Sequence, residues 1–138
     1  MRKIYLDNPH RKKHFEFFKN MSHPHFCIGF ELNISKFYQQ LKDQKLSFNS
    51  SIVYVVSRAA NEIEKFRHRI REDHIIVHDL IHPSYSIPTE ASDVFSFCTV
   101  EFDPNYQIFV ENARKKESFL QQNPSFEDEP GRDDYLFL

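Results

Sequence analysis

Helical spacing of apolar residues recurs in four parts of the chain. It predicts helices over residues 8–21, 35–45 and 49–66, and a last helix that begins at residue 103. The third helix is the clearest, because its apolar residues form one stripe at a period of 3.6. These residues are Ile52, Val53, Val55, Val56, Ala59, Ala60, Ile63 and Phe66.

Alternation at a period of two predicts strands between these helices. Residues 25–34 alternate most regularly, with an apolar residue at every second position. Further strands are expected over 74–78, 81–87 and 94–102, the first of them preceded by a polar turn. The apolar run at 135–138 resembles the first residues of a strand whose continuation is missing. The alternative is a short strand that pairs with the sheet.

Length and composition narrow the class of protein. A chain of 138 residues is expected to form one domain, 1–138. Its net charge of -2 gives no reason to expect a nucleic acid partner. It has no apolar stretch long enough for a membrane span and no apolar signal core. Cys27 and Cys98 are far apart in the sequence, so we expect both to be reduced thiols. The sequence therefore predicts a cytoplasmic protein that binds no membrane.

Common catalytic and metal-binding motifs do not occur. With two glycines, the chain contains neither G-x-G-x-x-G nor a P-loop, and it lacks G-x-S-x-G. His74, His78 and His82 are spaced by four, which on a strand separates neighbours by about 13 Å, too far to share one zinc ion. We therefore expect no metal site. The acidic stretch 127–134 is expected to be a solvated run of charge.

Several segments match one enzyme family in order. Residues 11–18 (R-K-K-H-F-E-F-F) resemble R-[RK]-E-H-F-E-x-[FY], the opening helix of the chloramphenicol acetyltransferase family. Lys13 replaces the usual glutamate of that motif, Asn33 an aspartate and His78 a tryptophan. The other similar segments are L-N-I-S at 32–35, F-R-H-R at 66–69, E-D-H-I-I-V-H-D at 72–79, H-P-S-Y-S-I at 82–87, E-A-S-D-V-F-S at 90–96 and N-Y-Q-I-F at 105–109.

The resemblance implies a fold and a reaction. The fold would be a two-layer α/β sandwich, a mixed β-sheet covered by helices, assembled as a homotrimer with the active site between subunits. The reaction would be acetyl transfer from acetyl-CoA, a co-substrate and not a permanently bound cofactor, to a hydroxyl acceptor such as chloramphenicol. In the family the histidine of H-H-x-x-x-D-G is the general base.

The resemblance also assigns site residues. Matched by motif, Phe17, Phe18, Phe26 and Phe95 would form the acceptor-binding side, since aromatic walls suit a flat ring. Arg11 would support the catalytic loop by pairing with the aspartate of the histidine motif. Phe126 aligns too loosely to be included. Three other phenylalanines are expected in the core: Phe30, Phe66 and Phe109.

The histidine motif itself does not occur in these residues, and neither does the family's S-x-P-W strand. The chain alone is therefore expected to lack both a general base and an oxyanion donor, and to be inactive. Three hypotheses remain open: an acetyltransferase whose carboxy-terminal catalytic part is absent, a non-catalytic small-molecule binding or assembly module, and one half of a split acyltransferase.

Overall fold

The described part of the chain contains four α-helices, one short 3₁₀ helix and six strands. The computed structural model describes residues 1–90, 93–125 and 131–138. The helices are α1 (Pro9–Lys19), α2 (Ser35–Asp43), α3 (Phe48–Glu62) and α4 (Tyr106–Gln122), with the 3₁₀ helix at Glu64–Arg67. The strands are β1 (Arg2–Ile4), β2 (His68–Arg71), β3 (His74–Val77), β4 (His82–Pro88), β5 (Phe95–Thr99) and β6 (Tyr135–Phe137). Among the described helices, none has the length and apolar character that crossing a membrane requires.

Side-chain caps fix where three of the helices begin. The Asn8 side chain accepts hydrogen bonds from the first N–H groups of α1, and Asn105 does the same for α4. Ser47 caps α3 by accepting from the Ser50 N–H. These polar residues satisfy donors that the helix itself leaves free. The α3 helix ends at Glu62, four residues before the predicted end, because Ile63 is extended and the chain tightens into the 3₁₀ helix before β2.

The strands form two sheets of three. In the first sheet, β3 lies between β1 and β2 and all pairs are antiparallel. In the second, β4 lies between β5, which is antiparallel to it, and β6, which is parallel. The predicted α/β class with a mixed sheet covered by helices is confirmed, since α3 and α4 pack on the second sheet. A second, separate sheet was not expected, and the three-residue strand β1 of the first sheet was not predicted.

The core lies between α3, α4 and the second sheet. Phe109 is fully buried there and packs against Tyr54 and Phe102, with ring centroids 5.6 and 6.1 Å away. The prediction that Phe109 belongs to the core is confirmed. The other members of this cluster are Val53, Tyr85, Ile87, Cys98, Val100, Ala113 and Leu120.

The strand predicted at 25–34 is wrong. These residues have no strand assignment, and their alternating apolar side chains are exposed, from 40% at Ile34 to 86% at Phe26. Alternation suits a strand, but a strand forms only when a neighbour pairs with its backbone, and among the described residues no strand pairs with this segment. Phe30 is consequently 75% exposed, and Phe66 in the 3₁₀ helix is 53% exposed. The assignment of these two rings to the core is also wrong.

Residues 131–138 join the two sheets. Their strand β6 pairs with β4, as the alternative interpretation of this run proposed. Arg69 of β2 donates to the carbonyls of Asp133 and Tyr135, both at 2.5 Å. Asp133 also forms an ion pair with Arg71, at 2.7 Å, and its carboxylate accepts a hydrogen bond from His78 Nε2, at 3.0 Å.

The prediction of a solvated run of charge at 127–134 is therefore wrong for Asp133 and Asp134, at the end of the run that the structure describes. Asp134 is half-buried and lies 3.0 Å from the Arg132 side chain. Burial acts to raise its pKa, but the contact with Arg132 and the nearby His82 ring outweigh it and lower the pKa. Residues 127–130 of that run, like Phe126, lie outside the described residues.

Candidate functional site

Helix α1 presents two of the predicted site residues side by side. Phe17 and Phe18 pack edge to face, with ring centroids 5.3 Å apart, and they are 63% and 48% exposed. No residue of α1 is buried, so the helix holds both rings on an open surface. With Lys13 and His14 they line a cavity of about 330 Å³.

A second cavity, of about 450 Å³, begins on the other side of Phe18. Phe26 lines it from the irregular segment that follows α1, and Met21, His23, Pro24 and His25 complete the wall. The chain bends at Met21 and Ser22, directly after the helix. Phe18 is thus shared by both cavities, and the structure brings Phe17, Phe18 and Phe26 together. Both volumes lie in the range typical of small-molecule sites.

Phe95 does not line either of these two cavities. It begins β5 and lines a different depression, of about 470 Å³, together with the end of β4 and residues 93–94. Its ring packs on Phe97, with centroids 5.5 Å apart, and is 54% exposed. The separation follows from the topology, because β5 belongs to the second sheet whereas α1 contacts the turn of the first sheet through Lys19 and the Glu72 carbonyl.

Arg11 lies in the first turn of α1 and is exposed. Its backbone N–H donates to the Asn8 side chain at 3.2 Å. Within the described ranges 1–90, 93–125 and 131–138, no carboxylate forms an ion pair with its guanidinium. The proposed partner, an aspartate of the histidine motif, does not occur in the chain.

Lysine and histidine side chains supply the polar groups of the two cavities. His14 Nδ1 lies 2.9 Å from the His10 carbonyl, and because a carbonyl oxygen only accepts, Nδ1 holds the proton and a neutral ring leaves Nε2 as an acceptor. The rings of His23 and His25 lie 6.1 Å apart. Such groups can orient a hydroxyl or an acidic substituent beside an aromatic wall. Across the described part of the chain, no group of three or more His, Cys, Asp and Glu residues is placed to hold a metal ion.

A buried polar cluster under the second sheet was not found from the sequence. The Tyr85 hydroxyl donates to Glu117 at 2.7 Å, and Cys98 lies beside it with no exposed surface. Burial raises the pKa of the Tyr85 hydroxyl far above its ordinary value and that of the Cys98 thiol to about 11. A thiol held neutral is a poor nucleophile. The exposed thiol of Cys27 is the accessible one.

Comparison with known proteins identifies the family. The family model "Chloramphenicol acetyltransferase" matches residues 1–136. This chain belongs to the chloramphenicol acetyltransferase family. Relatives of that name from Klebsiella sp and Bacillus pumilus are 26% and 28% identical over 101 and 107 residues, which cover 73% and 78% of this chain.

The match also extends to a solved structure. A chloramphenicol acetyltransferase superposes with a TM-score of 0.70 at 26% identity, covering 94% of this chain and 60% of that protein. The aligned residues are 46% of the Klebsiella sp protein and 49% of the Bacillus pumilus protein. The chain thus spans about half the length of the curated relatives it matches.

Proposed function

We propose that this chain forms the acceptor-binding side of a chloramphenicol acetyltransferase-like enzyme. The observation that carries the proposal is the pair of cavities around Phe18, lined by Phe17 and Phe26, in a chain of this family. Open aromatic walls suit a flat ring, which buries apolar surface there at little cost in side-chain entropy. A hydroxyl compound such as chloramphenicol would be the acceptor and acetyl-CoA the acetyl donor.

Residues outside this chain would supply the chemistry of transfer. A histidine base would remove the hydroxyl proton as the oxygen attacks the thioester carbonyl carbon. The C–S bond would then break, and the departing CoA thiolate would take the proton from the histidine. These 138 residues offer no H-H-x-x-x-D-G motif, so the proposal places that base on another polypeptide segment. Arg11, free of carboxylate partners in the described ranges, would then pair with the aspartate of that segment. Phe95, which lines its own depression, would meet the acceptor only across an interface between subunits.

A homotrimer, a cytoplasmic location and a role in antibiotic resistance belong to the same proposal. Exposed apolar residues at 26–34 support an assembly that covers them, since patches of this kind mark interaction sites. The proposal also treats residues 1–138 as one folding unit.

Two measurements on the purified chain test the proposal. Chloramphenicol titrated into the chain, followed by ligand-observed NMR, should bind, and Phe18→Ala should weaken binding about tenfold through loss of the shared wall. Phe119→Ala, which removes a ring on α4 that is 58% exposed against 48% for Phe18, is the matched control and should leave binding unchanged. A thiol-release assay with acetyl-CoA should show no turnover. Absence of binding would reject the acceptor site, and turnover above background would reject the external base.

A further inference from the structure

Lys13 gives the cavities around Phe18 a positive charge. It lies one turn before Phe17 and Phe18 and lines the first cavity with them. Within the described part of the chain, no carboxylate forms an ion pair with the Lys13 ammonium. Its charge is therefore available to a ligand.

The remaining polar groups of the two cavities have the same character. His14 lines the first cavity, and His23 and His25 line the second. Among residues 1–90, 93–125 and 131–138, no carboxylate lines either cavity. The chain as a whole carries a net charge of -2, so a lining whose polar side chains are all lysine or histidine differs in charge from the average surface.

The opposite side of α1 provides the contrast. Lys12, the neighbour of Lys13 in sequence, lines a separate depression of about 370 Å³ in which three carboxylates accompany it. These are Asp7, Glu16 and Asp73. The helix therefore separates an acidic side from an aromatic and basic side.

We infer that the cavities around Phe18 select a flat aromatic compound that carries an acidic group, an inference that rests on the proposed acceptor site. The ring packs against Phe18 and Phe26, and the anionic group lies toward Lys13 and the imidazole nitrogens. The acceptor class is thus an anionic aromatic alcohol. Because these charges are exposed, the preference over a neutral analogue is moderate, about threefold to fivefold.

Two probes of the same shape test the inference in the full chain. Isothermal titration with 4-nitrobenzoate and with 4-nitrobenzyl alcohol, at low salt and equal pH, should give tighter binding of the carboxylate by that factor. Lys13→Gln should remove the difference and Lys13→Glu should invert it. Lys12→Gln, which removes one charge from the same helix, is the matched control and should retain it. Added salt should reduce the preference, since it screens exposed charges.

The outcomes separate the two proposals. Equal binding of the two probes, or equal effects of Lys12→Gln and Lys13→Gln, would overturn the inference and leave the acceptor site standing. Failure of both probes and of chloramphenicol to bind would overturn both. Circular dichroism of each variant confirms that α1 is intact, which an exposed lysine substitution is expected to leave unchanged.

Discussion

Asn61 in α3 forms two hydrogen bonds with the backbone of Ile81. Its Nδ2 donates to the Ile81 carbonyl and its Oδ1 accepts from the Ile81 N–H, both at 2.9 Å. The side-chain amide thus substitutes for a neighbouring strand just before β4, and it joins the helix to the sheet. Ile81 itself is fully buried, so its backbone groups have no access to water in place of this partner.

Replacing this amide is expected to destabilise the fold. Asn61→Asp keeps the acceptor but sets a second oxygen against the Ile81 carbonyl, and it should lower the free energy of unfolding by about 1–3 kcal/mol. Urea denaturation measures the loss. Asn20→Asp, which makes the same change at the exposed end of α1, should cost less than about 0.5 kcal/mol. Equal losses for the two variants would show that the paired hydrogen bonds are not the cause.

The described phenylalanines divide into core rings, Phe109 and Phe102, and several surface rings. Phe109→Ala should lower the free energy of unfolding by about 3–5 kcal/mol, because the ring has no exposed surface and leaves a cavity. Phe18→Ala should cost less than about 1 kcal/mol, because nearly half of that ring is already in water. Thermal denaturation compares the two variants. Similar losses would place Phe18 in the core and remove it from the site.

The cluster of Tyr85 and Cys98 makes stability depend on alkaline pH. The pKa of Cys98 rises from its ordinary value of 9.0 to about 11 on folding, so the unfolded thiol loses its proton first. Stability from the neutral thiol is complete below pH 9 and is lost as pH rises toward 11. Burial raises the pKa of Tyr85 too, which adds to the loss in the same direction.

Cysteine variants isolate the thiol's share of this effect. Cys98→Ala should flatten the fall in the free energy of unfolding between pH 9 and 11, whereas Cys27→Ala, at an exposed position, should not. In the folded chain at neutral pH, iodoacetamide should modify Cys27 and spare Cys98. A pH profile unaffected by Cys98→Ala would contradict the assignment.

Arg69 should control how firmly residues 131–138 are held. Arg69→Lys keeps the charge, but a single ammonium cannot donate in the forked arrangement that reaches both Asp133 and Tyr135. We expect amide hydrogen exchange of Leu138, which donates to the Ser84 carbonyl, to accelerate about tenfold through local opening. Arg58→Lys, at an exposed ion pair with Glu62, should leave that rate unchanged.

Local signals explain which parts of the fold could be predicted. The α3 helix carries its own information, a serine cap and a continuous apolar stripe, and its existence was correctly predicted. The alternation at 25–34 is equally regular, yet the strand is absent because its stability depends on a partner strand and not on the pattern itself.

In the candidate site, too, some features follow from local sequence and others depend on the fold. Phe17 and Phe18 are adjacent on one helix, so their association follows from the sequence, whereas the approach of Phe26 to Phe18 depends on the path of the segment after α1. The contacts of Arg69 with residues 64 and 66 positions away leave no local pattern at all. They could be found only in the folded chain.

The parallel pairing of β4 with β6 affects the order in which the chain can fold. A ribosome must extend the chain through residue 137 before β4 acquires this neighbour, whereas the β2–β3 hairpin can close as soon as its few residues emerge. Contacts between distant residues carry a larger loop-closure entropy and form late. During synthesis, one edge of β4 therefore stays without its β6 neighbour until residues 135–137 have emerged.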